Sequence, residues 1–202
     1  MTDARAVPPR RGRPPRKTPA EIGAVALRLF AERGFEATTV DEIAAELGVA
    51  RRTVFRSFPS KNDIVWGDFD LVLERLRADL DAQREEPVAL AIRRAVISSN
   101  TYPPELLAEL RTRIRLITTV PALQAHSALR YSAWRRVIAE YVALRTGGSP
   151  DDLGPVTLAH VALGVSIAAF STWVSDPSLD LEAALRGAWE SVGELGGALS
   201  GG

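Results

Sequence analysis

Apolar residues return at helical spacing along most of this chain, and no stretch of its 202 residues alternates convincingly with the period of a strand. Thr18, Pro19 and Glu21 form a start signal of N-cap, first-turn proline and capping-box acid. Behind it Ile22, Val25, Ala26, Leu29 and Phe30 make a buried stripe that Gly34 ends. Val40, Ile43, Ala44 and Leu47 fall at i, i+3, i+4 and i+7, with Thr39 and Glu42 as a second capping box. Gly48 then supplies the residue able to turn with positive φ. A third helix over about 51–58 buries Val54 and Phe58. Ser60, with Asp63 at the capping-box position, opens a fourth helix predicted to run to about Arg84 through Val65, Phe69, Leu73, Leu76 and Leu80. Segments 87–100, 103–119 and 121–146 follow, separated by proline-bearing breaks. An uncharged helix over 153–175 and a last one from about 180 through Leu185, Trp189 and Val192 complete an all-α chain of nine helices.

Two of these helices are short, joined by a tight glycine turn, and the second presents Arg51, Arg52, Thr53, Phe55 and Arg56 on its outer side. That is the pattern of a helix-turn-helix, whose second helix enters a major groove of double-stranded DNA. Net charge is zero overall, but residues 1–65 carry 12 Lys and Arg against 8 Asp and Glu, whereas 66–202 carry 13 against 17. A basic end on a mildly acidic body suits a protein that meets phosphates with one end. Residues 1–17 read as a disordered basic arm, and its Arg11-Gly12-Arg13-Pro14 has the form of an AT-hook core. Arg11 and Arg13 are candidates for a narrow minor groove, the alternative being a solvated tail that adds only non-specific affinity.

The chain has no Cys, which excludes disulfides and thiolate metal sites, and its Arg- and Pro-rich start lacks the apolar run of a signal peptide. The expectation is a cytoplasmic protein. The 153–175 segment is long enough to span a bilayer, but acidic residues flank it and no Lys or Arg anchors either end. It reads as a core helix, with no membrane partner. No Gly-rich phosphate loop, metal-ligand spacing or paired nucleophile and base is present, so neither an enzyme nor a bound cofactor is expected.

The stretch 18–65, with Phe30-Ala31-Glu32-Arg33-Gly34-Phe35 and Phe58-Pro59-Ser60-Lys61-Asn62-Asp63-Ile64, resembles the TetR family of transcriptional regulators. A narrower likeness, to regulators associated with mycofactocin biosynthesis, lies in Lys61 to Asp70, Pro103 to Leu107, Val120 to His126 and Trp134 to Ile138. The resemblance implies a DNA-binding head over 18–65 and a helical effector-binding and dimerisation body over 66–202. It also implies a homodimeric repressor released by a small molecule, long-chain acyl-CoA being a common effector class.

Carried onto this sequence, Arg51 and Arg52 become the candidates for reading guanine edges. Thr39, Thr53, Phe55 and Lys61 become candidates for positioning on the backbone. The dimer surface is expected on the last two helices, from Ala159, Ala162, Gly164, Ala168 and Ala169 with Leu163, Ile167, Phe170, Leu185 and Trp189. In the body, His126, Arg130 and Trp134 share a stripe with Leu123, Val137, Tyr141 and Leu144, and Arg113 falls on the face of Leu106, Leu110 and Ile117. Such cations either meet acidic partners in the core or await an anionic ligand. His160 reads as a core histidine. The rival to a ligand-released regulator is an architectural DNA-binding protein that is blind to both sequence and ligand.

Overall fold

The computed structural model describes residues 17–200, and within them every element is an α-helix. Both capping boxes form. Thr18 accepts from the Glu21 N–H while Glu21 accepts from the Thr18 N–H, opening α1 (Pro19–Arg33). Thr39 and Glu42 do the same for α2 (Val40–Leu47). Gly48 closes α2 in the left-handed conformation, φ 65°, and α3 (Arg51–Ser57) follows at once. Ile22, Phe30, Ile43, Val54 and Phe58 pack into one core, joined by the aromatic pair Phe30–Phe35 at 5.0 Å. Buried Thr38 donates its hydroxyl to the Gly34 carbonyl at 2.9 Å, tying the α1–α2 turn to the end of α1.

The fourth helix expected from the periodicity is present but broken in two. Gly67, at φ 62° and ψ −146°, ends α4 (Lys61–Trp66), and α5 (Phe69–Ala82) restarts with Asp68 as its cap. Among the described residues the nine-helix order therefore holds with one helix divided, giving ten segments. The break turns on the backbone of Gly67, whose positive φ strains any residue with a Cβ, and a Cβ there would also press on Arg113 Nη1 at 2.8 Å.

The body continues through α6 (Val88–Ser99), α7 (Pro104–Thr119), α8 (Pro121–Thr146), α9 (Leu153–Ser175) and α10 (Leu181–Ser200). The core helix is α9, which packs along α8 and α10 and buries Ala159, Ala162, Leu163, Ala169 and Trp173. Its length and composition would let it cross a membrane. Its exposed side carries Thr157, His160, Gly164, Ile167 and Ala168. His160 is thus not a core residue; its Nδ1 lies 2.8 Å from the Val156 carbonyl on the outer face.

A candidate nucleic-acid interface and a candidate effector cavity

Val54 is fully buried and fixes α3 on the head, which leaves Arg51, Arg52, Phe55 and Arg56 exposed and Thr53 half-buried. Arg51 forms a 2.8 Å ion pair with Asp41 of α2 and lies 5.2 Å from the Phe55 ring. Arg52 and Arg56 have no hydrogen-bond or ion-pair partner among the described residues. Ala50 provides no side-chain cap, so the first-turn N–H groups of α3 also lack a side-chain partner. One face of α3 therefore offers Arg52 and Arg56 unengaged and Arg51 in an exposed ion pair, with Arg56 added to the residues expected from sequence.

Two expected backbone contacts are spent internally. The Lys61 ammonium turns inward, donating to the Phe35 carbonyl at 2.8 Å and the Thr38 carbonyl at 3.2 Å, and sits 4.2 Å from the Phe35 ring centre. It clamps α4 to the α1–α2 turn by supplying a donor to carbonyls of that connection, which no helix ladder serves. Thr39 is exposed, but its hydroxyl is engaged with Glu42 in the capping box. Arg11 and Arg13 lie outside the described residues.

The body contains a cavity of about 250 Å³ enclosed by α4, α5, α7, α8 and α9. Its wall is mostly apolar, with Trp66, Phe69, Val72, Leu110, Ile114, Ile117, Tyr131, Trp134, Leu163, Ile167 and Phe170. Trp66 meets Phe69 and Tyr131 edge-on at 5.3 and 5.7 Å. Polar wall residues are mostly spoken for: Asn100, Thr118 and Ser166 each donate to a carbonyl of their own helix. Tyr102 differs, since no hydrogen bond from the described residues engages its hydroxyl; burial raises its pKa against the pull of Arg75 and Arg113, so it remains an O–H donor.

Of the four expected effector residues, the structure brings Arg113 and Trp134 to the cavity and keeps His126 and Arg130 away from it. Arg130 instead donates to Asp63 Oδ1 at 2.8 Å, and His126 Nε2 lies 3.3 Å from the same oxygen. The histidine approaches too far off line to donate a hydrogen bond, so its Nε2 stays buried without one. Of the two alternatives for these cations, the acidic partner holds for this pair and their assignment to the effector is corrected; that partner is a residue assigned to capping. Asp63 does both jobs: Ser60 Oγ caps its N–H and donates to Oδ2 at 2.7 Å, while Oδ1 faces α8. Burial alone would raise the Asp63 pKa, but the Ser60 and Arg130 hydrogen bonds and the nearby charges hold it below the usual aspartate value.

Arg113 is also committed: it donates to the Ile64 and Val65 carbonyls and to Glu109 Oε1 at 2.9 Å. Sequence reasoning missed Arg111, which donates to the Asp176 carbonyl at 2.9 Å and to that of Trp173, closing the end of α9. The expected dimer set divides. Ala159, Ala162, Ala169, Leu163 and Leu185 are buried within the chain, because α8 and α10 already wrap those sides of α9. Gly164, Ile167 and Ala168 remain exposed, and Phe170 and Trp189 are half-buried.

Comparison with known proteins agrees with this layout. Residues 22–65 match the model of bacterial regulatory proteins, tetR family, and residues 86–195 match the MftR C-terminal domain. The chain is 42% identical over 184 residues to a candidate mycofactocin biosynthesis transcriptional regulator, MftR, of Mycobacterium tuberculosis, covering 90% of this chain and 92% of that one. It is 30% identical to the HTH-type transcriptional regulator TcmR of Streptomyces glaucescens, over 88% of this chain and 81% of that one. Among solved structures, FadR of Bacillus subtilis in complex with stearoyl-CoA shares the fold at 20% identity and TM-score 0.54, covering 84% of this chain and 94% of that one.

Proposed function

Because the chain belongs to the TetR family of transcriptional regulators, we propose that it is a homodimeric repressor held on a pseudo-palindromic operator and released by a small amphipathic ligand. Genes for mycofactocin biosynthesis are the proposed targets, a reading supported by the 42% identity to MftR across 90% of the chain.

The exposed face of α3 carries the DNA half of this reading. Arg52 is set to read guanine O6 and N7 in a major groove, with Arg51 joining once it leaves Asp41. Thr53, Phe55, Arg56 and the α2 end at Thr39 would position the helix on the backbone, with Arg11 and Arg13 reaching the minor groove. A seven-residue recognition helix spans too few base pairs alone, so a two-fold partner supplies the second half-site. The uncharged face of α9 with Gly164, Ile167 and Ala168, together with Val192 and Leu195 on α10, is the surface proposed to pair.

The cavity is the proposed effector site and long-chain acyl-CoA the proposed effector, with Trp134 in the wall and Arg113 as its cation. Stearoyl-CoA bound to FadR, a protein of the same fold, favours that class. At about 250 Å³ the cavity falls just below the usual small-molecule range of roughly 300–1,000 Å³, so a long chain must widen it. The yielding wall is α7, which buries only Leu116 and Ile117 in sixteen residues and also touches α1 and α4. Widening there would alter the spacing of two heads set for half-sites about 34 Å apart.

The test is a titration against DNA upstream of the gene encoding this chain and against random DNA at matched salt, with and without palmitoyl-CoA. Specific binding weakened by palmitoyl-CoA is the expected result. Specific binding untouched by it removes that effector, and equal affinity for both DNAs favours the architectural alternative.

A further inference from the structure

The six-residue helix α4 is gripped at both ends. Lys61 joins its N-terminal end to the Phe35 and Thr38 carbonyls of the head. At the other end the guanidinium of Arg113, from α7, caps the Ile64 and Val65 carbonyls. The same side chain, 18% exposed, forms part of the cavity wall beside Trp66, whose buried indole N–H has no partner among the described residues. Gly67 makes the approach possible, since any Cβ there would press on Arg113 Nη1.

We propose that Arg113 is a positioning residue shared between the α4 carbonyls and the cavity's ligand, and that a ligand oxygen draws it off α4. The ligand class this requires is an apolar chain ending in a group that only accepts hydrogen bonds, a carboxylate or a thioester carbonyl. The inference rests on the cavity being the effector site and adds the residue through which occupancy reaches the head. Nη1 is committed to the Ile64 and Val65 carbonyls and Nη2 to Glu109, so a ligand acceptor that draws on Nη1 takes its donor from α4. A carboxylate competes well for it, because charge-assisted bonds are the stronger ones. A wholly apolar ligand offers Arg113 nothing in exchange and leaves α4 capped. Only a differential interaction of this kind shifts an equilibrium between two arrangements. Once uncapped, α4 keeps among the described residues the Asp63–Arg130 ion pair as its polar tie to the body, while Lys61 still ties it to the head. The freed end also carries Trp66, so its N–H gains access to an acceptor when the wall opens.

The experiment uses the full chain and two probes, dodecanoate and dodecanoyl-CoA, which share the chain and differ in the acceptor. Calorimetry reads ligand binding, and titration against the upstream DNA reads release. In the wild type a bound probe should weaken DNA binding about ten-fold, within the usual range of coupling. Arg113→Met should bind that DNA about as weakly as the liganded wild type, and adding probe should change it less than two-fold. A purely structural role would lower the melting temperature of Arg113→Met yet leave the release ratio at its wild-type value, and that result would overturn the proposal. Should Arg113→Met fail to fold, Glu109→Gln frees the guanidinium from its ion pair without touching the α4 cap. Probe affinity should then rise about two-fold, the scale of an exposed pair; an unchanged or lower affinity counts against the proposal. If only one probe releases DNA, it identifies the acceptor. If neither binds the wild type, the effector-site reading fails and takes this inference with it. Binding with unaltered release in Arg113→Met sinks this inference alone.

Discussion

The cations of α3 and those of α7 and α8 look alike in sequence and are used in opposite ways. On α3, Arg52 and Arg56 are exposed and unpaired among the described residues, and Arg51 has only an exposed ion pair, its side chain 59% accessible. In the body, Arg111 and Arg113 close helix ends by donating to backbone carbonyls, Arg145 donates to the Glu86 carbonyl of the α5–α6 connection, and Arg130 is spent on Asp63. Guanidinium suits both tasks, since its fork meets a base edge, a carboxylate or a pair of carbonyls equally well. The difference lies in what each face leaves unsatisfied. An exposed cation without an internal partner, such as Arg52 or Arg115 of α7, keeps its donors free for the outside, and a cation half-buried against carbonyls marks a joint.

The largest expected effect breaks a joint. Asp63→Asn removes the charge facing Arg130 and His126 and should cost about 2–3 kcal/mol in urea unfolding. The same joint has a pH signature. Because the folded-state pKa of Asp63 is depressed, its contribution is fully present above the ordinary aspartate value and is lost as pH falls through the lower folded value. Unfolding curves of wild type and Asp63→Asn should therefore converge in strong acid and separate above about pH 4.

On α3 the expectation reverses. Arg52→Ala should cost about 1–3 kcal/mol of discrimination between operator and random DNA. Arg56→Ala should weaken both DNAs alike and reduce the slope of log affinity against log salt by about 0.9. Thr39→Ala, which removes a cap from α2, should cost about 1 kcal/mol in thermal unfolding. Smallest of all, Arg186→Ala breaks an exposed pair with Glu182 and should move stability by less than about 0.5 kcal/mol.

The head was legible in the sequence because its signals are local. Capping boxes at Thr18 and Thr39 and a left-handed turn at Gly48 each depend on residues a few positions apart. The break at Gly67 was not legible, since the apolar periodicity continues across it and its positive φ is a feature of the folded backbone. Asp63 shows the same limit: its spacing from Ser60 identified a cap, while its pairing with α8 depends on tertiary packing. The stripe of α8 misled for another reason. Over 26 residues a 3.6-residue period drifts across changing neighbours, so Leu123 is buried while Leu144, on the same nominal face, is 81% exposed. Small residues on α9 suggested a partner helix, and for Ala159, Ala162 and Ala169 that partner is within the chain.

The most direct test sets one arginine from each region side by side, Arg52→Ala and Arg145→Ala, each measured for DNA binding and for urea unfolding. Arg145 donates to the Glu86 carbonyl at 3.0 Å and to the Tyr141 hydroxyl at 2.6 Å, and it belongs neither to the head nor to the residues lining the cavity. The account predicts that Arg52→Ala loses specific DNA binding with unchanged stability. Arg145→Ala should lose about 1–2 kcal/mol of stability and bind DNA as the wild type does. Wild-type DNA binding by Arg52→Ala, or a loss of stability equal to that of Arg145→Ala, would contradict the distinction between cations kept for DNA and cations that hold the body together.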